Sequence, residues 1–199
     1  WGRDTMIALP GLTLATNRPR VAADILRTFA HFVDQGMLPN RFPDGGSAPE
    51  YNTADATLWY FEAVRLYLQQ TDDLALIEEI FPVLTNIIAW HERGTRYGIH
   101  VDPQDGLLYI GTEGVQLTWM DVKIEDWVVT PRTGKPVEIN ALWYNALRVM
   151  ADLARRLGDA GEVVRFDRLA KRAQQSFNAR FWHEGGYLYD VIDTPEGGD

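Results

Sequence analysis

The feature that most limits what this chain can fold into is an alternation between two kinds of helical segment. Stretches at roughly Asp4 to Ala15, Pro19 to Gln35, Thr53 to Gln70, Leu74 to Arg93, Val137 to Leu157 and Ala160 to Trp182 read as helix. The first is broken by Pro10-Gly11. The third (Leu58, Trp59, Tyr60, Phe61, Val64, Leu66, Tyr67, Leu68) and the fifth (Ile139, Leu142, Trp143, Leu147, Val149, Met150, Leu153) are apolar on most sides. The first joins them as mostly buried, while the second, fourth and sixth carry one stripe each: Val21, Ile25, Leu26, Phe29 and Phe32; Ile77, Phe81, Leu84 and Ile88; Phe166, Leu169, Ala170, Ala173, Phe177 and Phe181. Pro82 predicts a kink in the fourth, and Asp159 with Glu162 predicts a capping box at the head of the sixth.

An all-round apolar helix must be surrounded by protein, whereas a one-sided helix keeps a face in water. Concentric rings of paired helices satisfy both demands, and three inner–outer pairs are visible. The fold class expected is therefore all-α. A half ring would leave an apolar side of the third segment bare.

The connections sharpen the picture. Links from inner to outer helix are short (Thr16 to Arg18, Thr71 to Asp73, Gly158 to Asp159). Links from outer to inner helix are long (Gly36 to Asn52, Gly94 to Pro136), and loops of that length in a compact domain are usually functional. The longer one predicts short strands around Gly106 to Ile110 and Val115 to Trp119. Both lead into N-termini of inner helices, so they gather at one mouth of the ring. Polar and aromatic residues collect there: Arg3-Asp4, Asn52 and Asp55, Trp119, Asp121 and Lys123, Glu138 and Asn140.

Composition narrows the partners. A net charge of −9 disfavours nucleic acid, which rewards clustered Lys and Arg, and disfavours an anionic membrane surface for the same reason. Absence of Cys removes disulfides and thiolate sites. His31, His91, His100 and His183 are scattered without ligand spacing, so no metal and no cofactor is expected. No apolar run approaches the ~20 residues of a membrane span, which predicts a cytoplasmic protein. The chain opens at Trp1 without an initiator Met and closes in a Gly-rich stretch, which reads as one part of a longer domain, truncated at both ends.

A neutral, hydroxyl-rich partner fits the mouth. Carboxylates and amides hydrogen-bond hydroxyls, while Trp faces cover the apolar faces of pyranose rings. Each residue also has a quieter reading. Asn52 and Asp55 could cap a helix, Asp4 could pair with Arg3, Glu138 could complement a helix dipole, Asp121 could be an ordinary loop acid, and Trp59 and Trp143 could be plain core.

Trp1-Gly2-Arg3-Asp4-Thr5, Tyr51 through Trp59 (YNTADATLW), Thr118-Trp119-Met120-Asp121 and Pro136 through Tyr144 (PVEINALWY) resemble the C-terminal amylo-α-1,6-glucosidase domain of glycogen debranching enzymes, which is related to glucoamylases. The resemblance runs from Trp1 to about Asp190 with the motifs in the family's order. It implies a single (α/α)6 toroid domain, six helical hairpins, of which residues 1–199 are about half. It also implies inverting hydrolysis, in which one carboxylic acid protonates the glycosidic oxygen and a second carboxylate activates water from the opposite face. The acid would be Asp121, with a pKa raised by enclosure beside Trp119 and lowered by Lys123 if that residue points inward. Arg3 and Asp4 match the pair that holds the terminal glucose. Trp1, Asn52, Asp55, Trp59, Trp119, Lys123 and Glu138 complete the candidate substrate-binding set. The base is expected downstream, with Glu50 and Glu138 the local stand-ins. The substrate implied is glycogen or a branched α-glucan oligosaccharide. Two rivals stand beside this reading. A non-enzymatic scaffold of helical pairs, binding a partner on its concave face, would predict short loops throughout. A sugar isomerase would want a His pair at the mouth.

Overall fold

A computed structural model of the chain describes residues 1–43, 45 and 47–197. It is mostly helical, with small two-stranded sheets. The helices are α1 (Gly2–Leu9), α2 (Pro19–His31), α3 (Asp55–Thr71), α4 (Leu74–Arg93), α5 (Val137–Leu157) and α6 (Ala160–Arg180). α1, α3 and α5 lie side by side as an inner layer, α3 in the middle; α2, α4 and α6 pack behind them. α3 touches α1, α2, α4 and α5, and Leu58, Tyr60, Phe61, Val64, Tyr67 and Leu68 are buried. The bare side expected on this helix does not exist, because neighbours flank it on both sides. Exposed apolar side chains occur elsewhere, among them Ile7 on α1, Leu12 in the turn after it, Val21 on α2 and Val164 on α6.

Local chemistry explains most boundaries. Pro10 has no N–H, so it cannot continue the α1 ladder. The chain responds with a π-helical turn over Pro10–Leu14, closed by a hydrogen bond from Ala15 N to Pro10 O at 2.9 Å. α2 ends at His31, short of the predicted Gln35. Gln35 and Gly36 both take positive φ (49° and 75°) to turn the chain. The buried face of α2 is Ala22, Ala23, Leu26, Phe29 and Ala30, so Val21 and Phe32 of the predicted stripe lie outside. α4 runs through Pro82 as one helix. It is apolar and long enough by composition to cross a bilayer, but Leu76, Ile77, Ile80, Leu84, Ile87 and Ile88 are buried in the core. Asp159 Oδ1 accepts from Glu162 N at 3.0 Å, the first half of the predicted capping box; the Glu162 side chain turns to Arg165 instead.

The long loop between α4 and α5 contains β1 (His100–Val101) paired with β2 (Leu108–Tyr109), and a hairpin of β3 (Lys123–Ile124) with β4 (Trp127–Val128). β5 (Lys135–Pro136) pairs with β6 (Val191–Ile192) beyond α6. The strand expected near Gly106 to Ile110 is β2. The one expected at Val115 to Trp119 is absent. That stretch gives its carbonyls singly to neighbours, Leu117 O to Ala54 N at 2.8 Å and Thr118 O to Arg3, rather than to a ladder.

The loop is anchored by charge. The Lys135 ammonium, 1% exposed, meets Asp102, Asp105 and Asp193 at 2.7 Å each. Those three carboxylates are spaced as metal ligands could be, and the ammonium occupies their centre. Arg132, also buried, grips Glu138 and Asp190 together.

Candidate active site

The site begins with a glycine. A Cβ on Gly2 would lie 2.2 Å from Pro39 O, so only glycine lets α1 start this close to the loop over residues 36–52. Gly2 N donates to Asn40 O at 2.7 Å, and Arg3 N to Asn40 Oδ1 at 3.2 Å. The loop is in turn tied to α3, with Leu38 N donating to Thr57 Oγ1 at 2.8 Å. Three separate stretches of chain are thereby drawn to one point.

Arg3 is the hub. Its Nε donates to Asp55 Oδ2 at 2.8 Å, Nη1 to Asp121 Oδ2 at 2.7 Å, and Nη2 to Thr118 O at 2.8 Å. A guanidinium presents donors in a planar fork, and here the fork joins α1, the head of α3 and the loop that carries Asp121. Burial alone would lower the Arg3 pKa, but the two carboxylates hold it above its ordinary value. Burial pushes the Asp55 carboxyl up, against the pull of Arg3.

These residues border a cleft of about 630 Å³ lined by Trp1, Arg3, Asp4, Asn40, Glu50, Asn52, Thr53, Gln116, Trp119 and Asp121. Trp1 and Trp119 are exposed, at 66% and 58%. Asn52 Oδ1 and Thr53 Oγ1 are buried and meet no hydrogen-bond partner among the described residues. Buried polar atoms left unpaired are costly, and these two belong to residues of the cleft wall. A hydroxylated ligand would satisfy them.

Most sequence candidates gather here: Trp1, Arg3, Asp4, Asn52, Trp119 and Asp121 line the cleft. The quieter readings of two of them fail. Asp4 does not pair with Arg3, whose fork faces Asp55 and Asp121. Asn52 does not cap α3, which starts without a side-chain cap. Asp55 belongs to the cluster but lies beneath Arg3, 2% exposed, outside the cleft lining.

Trp59, Lys123 and Glu138 do not line the cleft. Trp59 is half-buried against the core. Lys123 turns its ammonium to Gly114 O at 3.1 Å. Glu138 is taken by Arg132. The enclosure expected around Asp121 is not found either: its side chain is 46% exposed, with Arg3 as its ion-pair partner. Asn140 and Trp143 are structural, Asn140 bonding both backbone groups of Leu108 and Trp143 Nε1 reaching Gly106 O at 3.2 Å. Sequence reasoning missed Asn40, Thr53, Gln116 and the Thr118 carbonyl as parts of the site. Nothing in a single sequence marks a loop asparagine that a distant helix will use.

Carboxylates, an arginine, amides and two exposed indoles give this cleft hydrogen-bond donors and acceptors for hydroxyl groups beside flat apolar faces. The sequence matches the amylo-alpha-1,6-glucosidase family over residues 1–199. The chain belongs to that family. It is 28% identical to the glycogen debranching enzyme of Saccharomyces cerevisiae, over 77% of this chain and 13% of that protein, so it spans only a small part of its relative's length. A rhamnosidase of family GH78 from Bacillus sp. GL1 shares the fold, with a TM-score of 0.67 and 22% identity over 89% of this chain and 17% of the rhamnosidase chain. Family and relative together identify a glycosidase-type domain of the glycogen-debranching group.

Proposed function

We propose that the chain is part of an (α/α)6 toroid, a glycoside hydrolase domain that removes α-1,6-linked glucose from branch points of glycogen or maltodextrin by inversion. Its place is the cytoplasm, its substrate a neutral branched glucan. Asp121 is the general acid. Trp1 and Trp119 present stacking faces, and Asp4, Asn52 and Thr53 accept or donate to sugar hydroxyls. The reading rests chiefly on one observation: Asp121, the acid that the family motif singles out, opens onto the same cleft as the two exposed indoles and the unpartnered polar atoms of Asn52 and Thr53. The long loops that form this cleft favour the enzyme over a scaffold of helical pairs. An inverting reaction also needs a carboxylate for water, roughly 6.5–9.5 Å from the acid. Glu50 shares the cleft but is engaged by Arg41 at 3.2 Å, and Glu138 is held outside it, so the base is assigned to neither.

The test is Asp121→Asn in the complete protein that carries this chain, assayed on an α-1,6-branched oligosaccharide with the released anomer read by NMR. The wild type should release β-glucose. The variant should lose about 10²–10⁴-fold in kcat, the usual worth of general acid catalysis, with KM little changed. A loss below about tenfold places the acid elsewhere.

A further inference from the structure

Asp55 has the features of a residue that acts without touching substrate. It is 2% exposed and absent from the cleft wall, yet bonded directly to Arg3 and, through Arg3, linked to Asp121, both of which form that wall. Its Oδ2 fixes Nε of Arg3, and the far side of the same guanidinium holds Asp121 Oδ2. The third arm of the fork is spent on the Thr118 carbonyl, three residues before Asp121. A planar fork tied at two points can aim at a third along only one direction. The loop needs such a constraint. Asp121 is half-exposed, follows a stretch without regular structure, and is succeeded at once by the β3–β4 hairpin, which shows Val122, Ile124 and Trp127 to solvent. Arg3 is the side-chain partner of its carboxylate.

Charge adds to geometry. Arg3 lies between two carboxylates, Asp55 at 2.8 Å on one side and Asp121 at 2.7 Å on the other. The other charged groups of the cleft are Asp4 and the Glu50–Arg41 pair; Lys123 is turned away to Gly114.

We infer that Asp55 is a positioning residue for the acid, acting through Arg3 to set the direction of the Asp121 carboxyl, and is not a sugar ligand. This rests on the assignment of Asp121 as acid. A group that works through the acid matters only when the leaving group needs a proton, and that gives the distinguishing measurement.

Asp55→Asn keeps the shape and an acceptor oxygen but removes the charge. In the complete protein, on an α-1,6-branched oligosaccharide, kcat should fall about 10- to 100-fold, the scale of a small misplacement of a catalytic group, with KM held within about twofold. On α-glucosyl fluoride, whose leaving group needs far less protonation, the loss should stay under about threefold. Adding Asp55→Asn to Asp121→Asn should cost less than about threefold more, because the residue acts through one that is already disabled. If that buried substitution impairs folding, Asp55→Glu serves in its place: it keeps the charge but moves the carboxylate by about one methylene, so the fork is re-aimed, and the same oligosaccharide-selective loss in kcat is expected. Equal losses on both substrates, a rise in KM at constant kcat, or additivity with Asp121→Asn would each overturn the inference and make Asp55 a ligand or a purely structural acid. Those results leave the acid assignment standing. Turnover retained by Asp121→Asn alone overturns both.

Discussion

Replacing Lys135 with Met should unfasten the longest loop of the protein and give it a pH response between about pH 7 and 5 that the wild type lacks. Lys135 contacts three carboxylates at 2.7 Å and is itself 1% exposed; the carboxylates are 10–35% exposed. Methionine fills the volume but leaves Asp102, Asp105 and Asp193 facing one another, with Arg180 as the remaining cation, bonded to Asp105 and Asp193. Removing one partner from a buried ion pair costs about 3–5 kcal/mol. Partial exposure of Asp193 and the presence of Arg180 argue for the lower end, about 3 kcal/mol. For a domain of this size that is a drop in Tm of roughly 6–12 °C, measurable by calorimetry or near-UV circular dichroism. The pH dependence is the sharper part. Burial would raise Asp102 and Asp193, but the Lys135 ammonium, together with Arg180 in the case of Asp193, holds both below the usual carboxylate range. Their stabilisation is complete above about pH 4 and is lost as acid titrates them below it. Burial would lower Lys135 as well, and its carboxylates hold it above its ordinary value, so its contribution is lost only above about pH 10.4. Without the ammonium, desolvation and mutual repulsion raise Asp102 and Asp193, and the variant should gain stability between about pH 7 and 5, where the wild type is flat. A loss under about 1 kcal/mol, or melting curves that keep the same pH profile, would refute the view that this ammonium is the loop's anchor.

Two further outcomes follow from the site. Gly2→Ala should cost about 1–3 kcal/mol, the usual penalty for overpacking, and lower kcat as well, because the methyl group would meet the Pro39 carbonyl and displace the start of α1 with Arg3 on it; an unchanged melting point with full activity would show that the loop yields freely. Trp119→Ala should raise KM for a branched glucan about three- to tenfold, the worth of one stacked ring, while the melting point stays within about 2 °C because the indole is 58% exposed; the opposite pattern would make Trp119 a structural residue.

The layered arrangement of helices was legible because it depends on side-chain periodicity, which a sequence displays directly. The all-round apolar character of α3 requires neighbours on every side, and they are there. Element ends were legible only where a residue type acts on its own backbone. Asp159 caps the helix that follows, and Pro10 breaks a ladder whatever surrounds it; the cap at Asp73 emerges only in the structure. α2 could not be bounded that way, since its last turn gives way to a reversal at Gln35 and Gly36 that a run of apolar residues does not announce.

The site divides along the same line. Several residues that face the cleft are recognisable by type, Trp1, Asp4, Asn52, Trp119 and Asp121 among them. Their supports are not. Glu138 looks like an equal of Asp55 in sequence, an acid in the first turn of an inner helix. Arg132 takes the one, while Arg3 takes the other and then reaches past it to Asp121. Which arginine meets which acid depends on loops that cross 118 residues of chain between Arg3 and Asp121. What separates the two acids is where their arginine leads: Arg132 runs on to Asp190, outside the cleft, whereas Arg3 runs on to Asp121, a carboxylate of the cleft wall.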